Sequence, residues 1–257
     1  PMSAGTSTSH VARIPLTKMD DALKSRIAAA CADERIDFAI VPRNSRLHDF
    51  GLVAMDMDST LITIECIDEI ADMQGIKPQV AAITEAAMRG EIDFPESLRR
   101  RVSLLAGLDQ SALQRVYDER LRLSPGAEAM LAKLQELGIR TLLVSGGFTF
   151  FTDRLKARLG LDTTLSNTLE IVDGKLTGRV LGDIVDAKAK AAKLAATRDA
   201  LGLNKEQVIA MGDGANDLAM MAEAGVSIAF HAKPVVREKT THAFNYAGLD
   251  GLMAIYR

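Results

Sequence analysis

Short apolar runs alternate with longer amphipathic stretches from residue 51 onward. Four runs have the length and composition of parallel strands covered on both faces: Gly51–Met55, Arg140–Val144, Gln207–Met211 and Val226–Phe230. Apolar spacings of three and four predict helices over 124–137, with Ser124 as N-cap, and over 149–159 and 187–201, each followed directly by a glycine. Strands that alternate with helices predict right-handed βαβ units and a doubly wound parallel sheet, an α/β fold.

Three segments depart from this alternation. Residues 169–177 are two short apolar runs around Asp-Gly, the pattern of a β-hairpin. Residues 67–117 contain helix formers and no strand pattern, so we expect a small helical cap inserted after the first core strand. The core is then 49–66 and 118–257. Residues 1–48 are interpreted as an N-terminal tail, mobile to about residue 10, and a helix over 19–32; a truncated regulatory segment stays an alternative.

Composition narrows the classes of protein. The chain has 47% apolar and 25% charged residues and a net charge of −3, the balance of a soluble globular protein without a nucleic-acid-binding basic stripe. No apolar run has the length of a membrane span, and no secretory signal is recognised. With only two cysteines and no metal-ligand spacing, we expect a cytoplasmic protein that binds neither nucleic acid nor membrane. The oligomeric state stays open.

Polar side chains follow the predicted strands where each strand ends. Parallel strands place their carboxyl ends at one edge of the sheet, where ligands bind. The residues expected at this edge are Asp56, Asp58, Ser145, Asp213 and Asp217. Several carboxylates at one place repel each other unless a cation joins them, and oxygen ligands favour Mg²⁺. The sequence therefore predicts a magnesium site that also binds a phosphate group.

The segment Asp56-Met57-Asp58-Ser59-Thr60 carries the most chemical information. Two aspartates two positions apart after a strand can face one substrate, one as nucleophile toward phosphorus and the other as proton carrier. Taken alone, the segment is also compatible with an Asp-rich turn that has no chemistry.

Four motifs in order resemble the haloacid dehalogenase superfamily of phosphotransferases. They are D-x-D-x-T at 56–60, a strand that ends in Ser145, a helical lysine, and G-D-x-x-x-D at 212–217. For the lysine, Asp186-Ala187-Lys188 matches the family pattern, so Lys188 is preferred over its neighbours Lys190 and Lys193. Motif matches are hypotheses that the structural context must support.

The resemblance implies a role for each matched residue. Asp56 attacks phosphorus and binds Mg²⁺, Asp58 transfers protons while its backbone carbonyl is the second metal ligand, and Asp213 is the third ligand. The phosphate oxygens would contact Ser145, the Gly146 amide, Lys188 and Asn216. Asp217 would position the lysine or the water shell of the metal.

Further segments, including Glu65–Ala71, Phe94–Leu105 and Ala229–Pro234, resemble the branch of the superfamily that hydrolyses phosphoserine. The resemblance implies the last step of serine biosynthesis, with Glu65 on the substrate ammonium and Arg101 on its carboxylate. Met88 and Phe94 would line the pocket. Alternatives stay open: another small phosphomonoester such as phosphohomoserine, D- rather than L-phosphoserine, phosphotransfer to other alcohols, and a phospho-receiver signalling module.

Overall fold

One twisted sheet of seven strands forms the centre of the molecule, described here from a computed structural model over residues 11–256. The strands are β1 (Leu52–Met55), β2 (Arg140–Phe148), β3 (Thr163–Val172), β4 (Lys175–Leu181), β5 (Val208–Gly212), β6 (Val226–Phe230) and β7 (His242–Phe244). Their order is β4-β3-β2-β1-β5-β6-β7, and every neighbouring pair is parallel except β3 and β4. This confirms the doubly wound α/β fold. The predicted mobile tail over residues 1–10 lies outside the described residues.

Helices cover both faces of the sheet and occupy the segment between β1 and β2. They are α1 (Asp21–Asp33), α2 (Cys66–Met73), α3 (Lys77–Met88), α4 (Phe94–Ser103), α5 (Ser111–Arg115), α6 (Ala127–Glu136), α7 (Thr149–Leu159), α8 (Ala187–Ala200), α9 (Leu218–Met221), α10 (Pro234–Arg237) and α11 (Gly251–Ile255). Every residue of β1 is buried, because β1 lies at the centre of the sheet with helices on both sides. Among the described residues, no helix combines the length and apolarity that crossing a membrane requires.

Three sequence predictions are corrected by the structure. β2 continues through Ser145 to Phe148, because a bulge between Val144 and Phe148 lets the strand resume pairing. β3 begins at Thr163, well before the predicted hairpin. Helix α6 begins at Ala127 and its N-cap is Gly126, so Ser124 is not the cap.

The insertion between β1 and β2 is helical, as its apolar spacing indicates. Asp93 caps α4 by accepting a hydrogen bond from the Glu96 N–H at 2.8 Å, and Pro95 occupies the first turn. Leu98 and Val102 are buried one turn apart on α4. The opposite face of α4 is exposed. Only side chains on the buried face of α4 can therefore point toward the sheet.

The β3–β4 hairpin holds the insertion through main-chain hydrogen bonds. The Gly107 N–H donates to the Leu176 carbonyl and the Leu176 N–H donates to the Leu108 carbonyl, both at 2.8 Å. The Gln110 N–H donates to the Gly174 carbonyl at 2.9 Å. Besides its two chain connections, the insertion thus has a third attachment to the core.

The N-terminal helix is confirmed but contributes no buried residue. The segment after it is fastened to the core by Asp37. Its carboxylate accepts three main-chain hydrogen bonds of 2.8–2.9 Å, from the N–H groups of Asn245, Tyr246 and Ala247. These bonds bring residues from the two ends of the described chain together.

Gly178, in β4, and Gly182, directly after β4, offer a matched test of the packing of the hairpin on α4. Gly178 and Gly182 both have left-handed φ angles, +83° and +71°. A Cβ on Gly178 would lie 2.9 Å from Ala106 Cβ and 3.2 Å from the Ser103 backbone, whereas a Cβ on Gly182 meets open space. We expect Gly182→Ala to lower the free energy of unfolding by about 1 kcal/mol, the conformational cost alone. Gly178→Ala should lose about 1–3 kcal/mol more, because the helix must move.

Urea denaturation of both variants measures this difference. Equal losses would show that the contact between the hairpin and α4 does not constrain the native state.

Candidate active site

A buried ion triad lies at the carboxyl end of β1. The Lys190 ammonium donates to Asp56 Oδ1 and to Asp217 Oδ1, each at 2.8 Å, and Lys190 is only 2% exposed. Burial alone would lower the pKa of Lys190, but the two carboxylates raise it by more than burial lowers it. The net shift is upward, which favours the charged ammonium. Burial and the neighbouring Asp217 raise the pKa of Asp56, against the effect of Lys190. The Met57 N–H also bonds to Asp56 Oδ1 at 2.8 Å, so these bonds leave Oδ2 available.

The lysine in this triad is Lys190, and the prediction of Lys188 does not agree with the structure. Lys188 is exposed on the outer side of α8, whereas Lys190 and Leu194 share the buried face. The spacing of one turn between Lys190 and Leu194 was the signal that could have identified Lys190. The motif-based alignment was therefore wrong by two positions.

Asp213 and Asp217 complete the acidic cluster. Oxygen atoms of Asp56, Asp213 and Asp217 lie within 4.8 Å of one another. The Thr60 hydroxyl donates to Asp213 at 3.2 Å, while burial and Asp217 raise the pKa of Asp213 to about 6. Asp217 is fully buried beside Gly212, where a Cβ would overlap the Asp217 carboxylate. Glycine is thus required at 212 for this approach.

The cluster fits a hard divalent cation. Three carboxylates face one ammonium, so two negative charges remain uncompensated when all groups are ionised. Oxygen donors of this kind favour Mg²⁺ over softer metals. Lys190 and the Gly214 N–H already engage the two oxygens of Asp217. Asp56 and Asp213 therefore have the oxygens that are better placed to bind a cation.

Asp58 lies beside the bulged part of β2, residues 145–147, which is called the β2 loop below. Its Oδ1 accepts the Cys66 N–H at 3.0 Å, and its Oδ2 lies 3.5 Å from Ser145 Oγ. Burial raises the pKa of Asp58, against the bonds from Cys66. A Cβ on Gly147 would lie 2.8 Å from Asp58 Oδ2, so this loop needs glycine for the approach. The carboxyl group can thus act on a substrate from a different side than Asp56.

Glu65, directly before α2, and Arg101, on α4 of the insertion, both face this site. The Ser59 hydroxyl donates to Glu65 Oε1 at 2.7 Å. Although the Glu65 residue is exposed overall, protein atoms around its carboxyl group and nearby Asp58 raise its pKa to about 7. Arg101 is half-buried on α4, and burial lowers its pKa against the carboxylates of Asp68, Glu65 and Asp58. No salt bridge within the described residues engages Arg101.

The remaining predicted contacts differ in their placement. Phe94 reaches the β2 loop, with its ring 2.9 Å from where a Gly146 Cβ would lie. Asn216 is exposed beside Asp217, to which its amide donates at 3.3 Å. Met88 is 66% exposed at the end of α3, so the structure does not bring it into the pocket. It was predicted from resemblance alone, and no core contact fixes it.

Fold and site together define an enzyme of the α/β class that transfers phosphoryl groups at the carboxyl edge of its sheet. Residues 53–222 match the haloacid dehalogenase-like hydrolase family. The chain belongs to that family.

Curated relatives and solved structures of this family are similar to the chain over most of its length. A protein of Polaromonas named phosphoserine phosphatase is 56% identical over 82% of this chain and 92% of its own. A crystal structure of a probable phosphoserine phosphatase from Vibrio cholerae, 45% identical, has a TM-score of 0.82 over 92% of this chain and 73% of that one. A phospho-aspartyl intermediate analogue of phosphoserine phosphatase, 38% identical, has a TM-score of 0.75 over 81% of this chain and 99% of that one. The receiver alternative is set aside by these relatives.

Exchanging each lysine tests the triad. Lys190→Met leaves two buried carboxylates without their counter-ion, so we expect about 3–5 kcal/mol less unfolding free energy and loss of p-nitrophenyl phosphate hydrolysis. Lys188→Met is the matched control on the same helix, with a change within about 0.5 kcal/mol and near-normal activity. Urea denaturation and phosphate release measure both. The reverse pattern would restore Lys188 as the functional lysine.

Proposed function

We propose that this chain hydrolyses O-phosphoserine to serine and inorganic phosphate through a phosphoryl group carried on Asp56. The observation that supports this most is that a carboxylate and a guanidinium, Glu65 and Arg101, lie beside the phosphoryl-transfer groups. The carboxylate of Glu65 can pair with the ammonium of the serine end, and the guanidinium of Arg101 can pair with its carboxylate. The names of the relatives support the same substrate. In this proposal the reaction is the last step of serine biosynthesis, and the protein is cytoplasmic.

The first half of the reaction forms a bond between Asp56 and phosphorus. One carboxylate oxygen of Asp56 attacks phosphorus, and the bond from phosphorus to the serine oxygen breaks. Asp58 donates its proton to the leaving alkoxide, a role for which its raised pKa is suited. Ser145 Oγ, the Gly146 amide and the Lys190 ammonium bind the other phosphate oxygens, whose charge increases toward the transition state.

The second half returns the enzyme to its starting state. Asp58, now a carboxylate, accepts a proton from water as the water oxygen attacks phosphorus. The bond between phosphorus and Asp56 breaks, and inorganic phosphate leaves. Asp56 is again a carboxylate and Asp58 is again protonated, so neither residue is changed over one reaction cycle.

Magnesium is the cofactor that the carboxylate cluster favours. Asp56 and Asp213 would hold it with their side chains, and the backbone carbonyl of Asp58 would be a further ligand. When bound, the ion neutralises phosphate charge and makes phosphorus more open to attack by an anion. Asp217 acts in this arrangement through Lys190, which it holds in place.

Substrate choice is assigned to the insertion, which we propose acts as a cap over 67–117 on a core of 49–66 and 118–257. Arg101 is presented by the buried side of α4, whereas Arg100 pairs with Glu96 at 2.7 Å on the exposed side. The Phe94 ring lies against Gly146 of the β2 loop, and its proposed role is to keep water from that side of the phosphate. Phosphohomoserine is the second candidate, because it has the same two end groups on a longer chain.

Removal of the contacts to the serine end should damage phosphoserine hydrolysis selectively. A charge-assisted bond contributes about 1.5–3 kcal/mol, so Arg101→Ala should lower kcat/KM for phosphoserine by about one to two orders of magnitude. Glu65→Gln should act similarly, since the amide keeps the shape and loses the charge. Hydrolysis of p-nitrophenyl phosphate should change far less.

Arg100→Ala is the matched control in the same arginine run and should leave both substrates unaffected. Asp56→Asn provides the background rate without a nucleophile. An equal fall on both substrates in the Arg101 and Glu65 variants would instead assign these residues to the catalytic centre or the fold.

The pH dependence of selectivity provides a separate test. Glu65 must be deprotonated to attract an ammonium, and its pKa is raised to about 7. The ratio of kcat/KM for phosphoserine to that for p-nitrophenyl phosphate should therefore rise with pH, by up to about tenfold between about pH 6 and pH 8. The ratio cancels the ionisations common to both reactions. In Glu65→Gln the ratio should stay flat, and a persisting slope would exclude Glu65 as its source.

A further inference from the structure

Asn167 is a buried side chain that the mechanism above does not use. It lies in β3, is 1% exposed, and pairs with Phe148 where β2 resumes after its bulge. Its Nδ2 donates to the Gly146 carbonyl and its Oδ1 accepts the Val185 N–H, both at 2.8 Å. Because both partners are main-chain groups, the amide orientation is determined: a flipped amide would place donor against donor.

The hydrogen bond from Asn167 to Gly146 indirectly orients the hydroxyl of Ser145. The Gly146 carbonyl and the Gly147 N–H belong to one planar peptide group, so holding one directs the other. The Gly147 N–H donates to Ser145 Oγ at 2.8 Å. With that oxygen already accepting, the Ser145 proton can only be donated: in this structure it faces Asp58 Oδ2 at 3.5 Å, a long bond that a phosphate oxygen placed closer could replace.

The hydrogen bond from Val185 to Asn167 fixes the chain directly before α8. Val185 precedes Asp186, the N-cap of this helix, whose side chain accepts the Ala189 N–H at 2.8 Å. Lys190 closes the first turn of this helix, where its N–H donates to the Asp186 carbonyl at 2.9 Å. One amide side chain thus ties the β2 loop that carries Ser145 to the helix that carries Lys190.

We propose that Asn167 is a positioning residue that holds Ser145 and Lys190 in register around one phosphate group. The inference rests on the proposed phosphate chemistry of the site and extends it to a residue that touches neither substrate nor metal. It involves groups shared by all phosphomonoesters, so its loss should affect every substrate equally, unlike the loss of Arg101 or Glu65.

The test uses Asn167→Ala and Asn167→Asp in the full chain with Mg²⁺. Ala removes both bonds, whereas Asp keeps the acceptor for Val185 and replaces the donor to Gly146 with a repelling oxygen. We expect kcat/KM to fall by the same factor, about 10- to 100-fold, for phosphoserine and p-nitrophenyl phosphate. The inhibition constant of inorganic phosphate should rise by about tenfold, and the Gly147 amide should exchange faster with solvent.

Ser166→Ala is the matched control on the adjacent position of β3. It removes a 2.7 Å hydrogen bond to the buried Thr152 hydroxyl, away from the β2 loop. Its thermal midpoint should fall while kcat and the phosphate inhibition constant stay within about twofold of the unchanged chain.

The proposal is overturned if the Asn167 variants lose thermal stability like Ser166→Ala but keep kcat and the phosphate constant within about twofold. Should Asn167→Ala fail to fold, Asn167→Asp decides alone by the same criterion. If phosphoserine is not hydrolysed by the unchanged chain, the substrate assignment fails, and the p-nitrophenyl phosphate and inorganic phosphate measurements still decide the role of Asn167.

Discussion

The rest of the site depends on one ammonium group shared by two carboxylates inside the protein. Lys190 joins Asp56, 134 residues before it, to Asp217, 27 residues after it. None of these charges would be stable at this depth without the others, because water no longer solvates them. The triad therefore binds the end of β1, the first turns of α8 and the loop after β5 into one unit. The reactive carboxylate is held where the sheet already places its ligands.

Much of this arrangement could be predicted from the sequence, since strands that end in Asp56, Ser145 and Asp213 share one edge whenever the sheet is parallel. Motif spacing chose the wrong lysine, because spacing does not reveal which side of a helix is buried. The role of Asn167 was not predicted either. It depends on a strand, β3, whose mixed polar start has no apolar pattern, and on the β2 bulge, which follows from tertiary contacts.

The two ends of a bound phosphomonoester would meet parts of the protein with different physical character. Around the phosphate, close approaches of glycine backbone and buried ion pairs leave side chains little freedom. Around the other end, Glu65 and Arg101 lie at the boundary between core and insertion, where exposure is greater and fewer bonds hold each group. The groups that would recognise the leaving group thus have more freedom to change than the groups that would act on phosphorus.

The main-chain bonds between the β3–β4 hairpin and the insertion give the short turn at Asp173-Gly174 an effect far from its own position. Helix α4 is held at its C-terminal side by this hairpin, and α4 carries Arg101. Of the three bonds, the one from Gln110 to Gly174 is made by the turn itself, and the other two are made by Leu176 of β4. A surface turn on one side of the sheet is thereby part of the support of a helix that was inserted on the other side of the sequence, between β1 and β2.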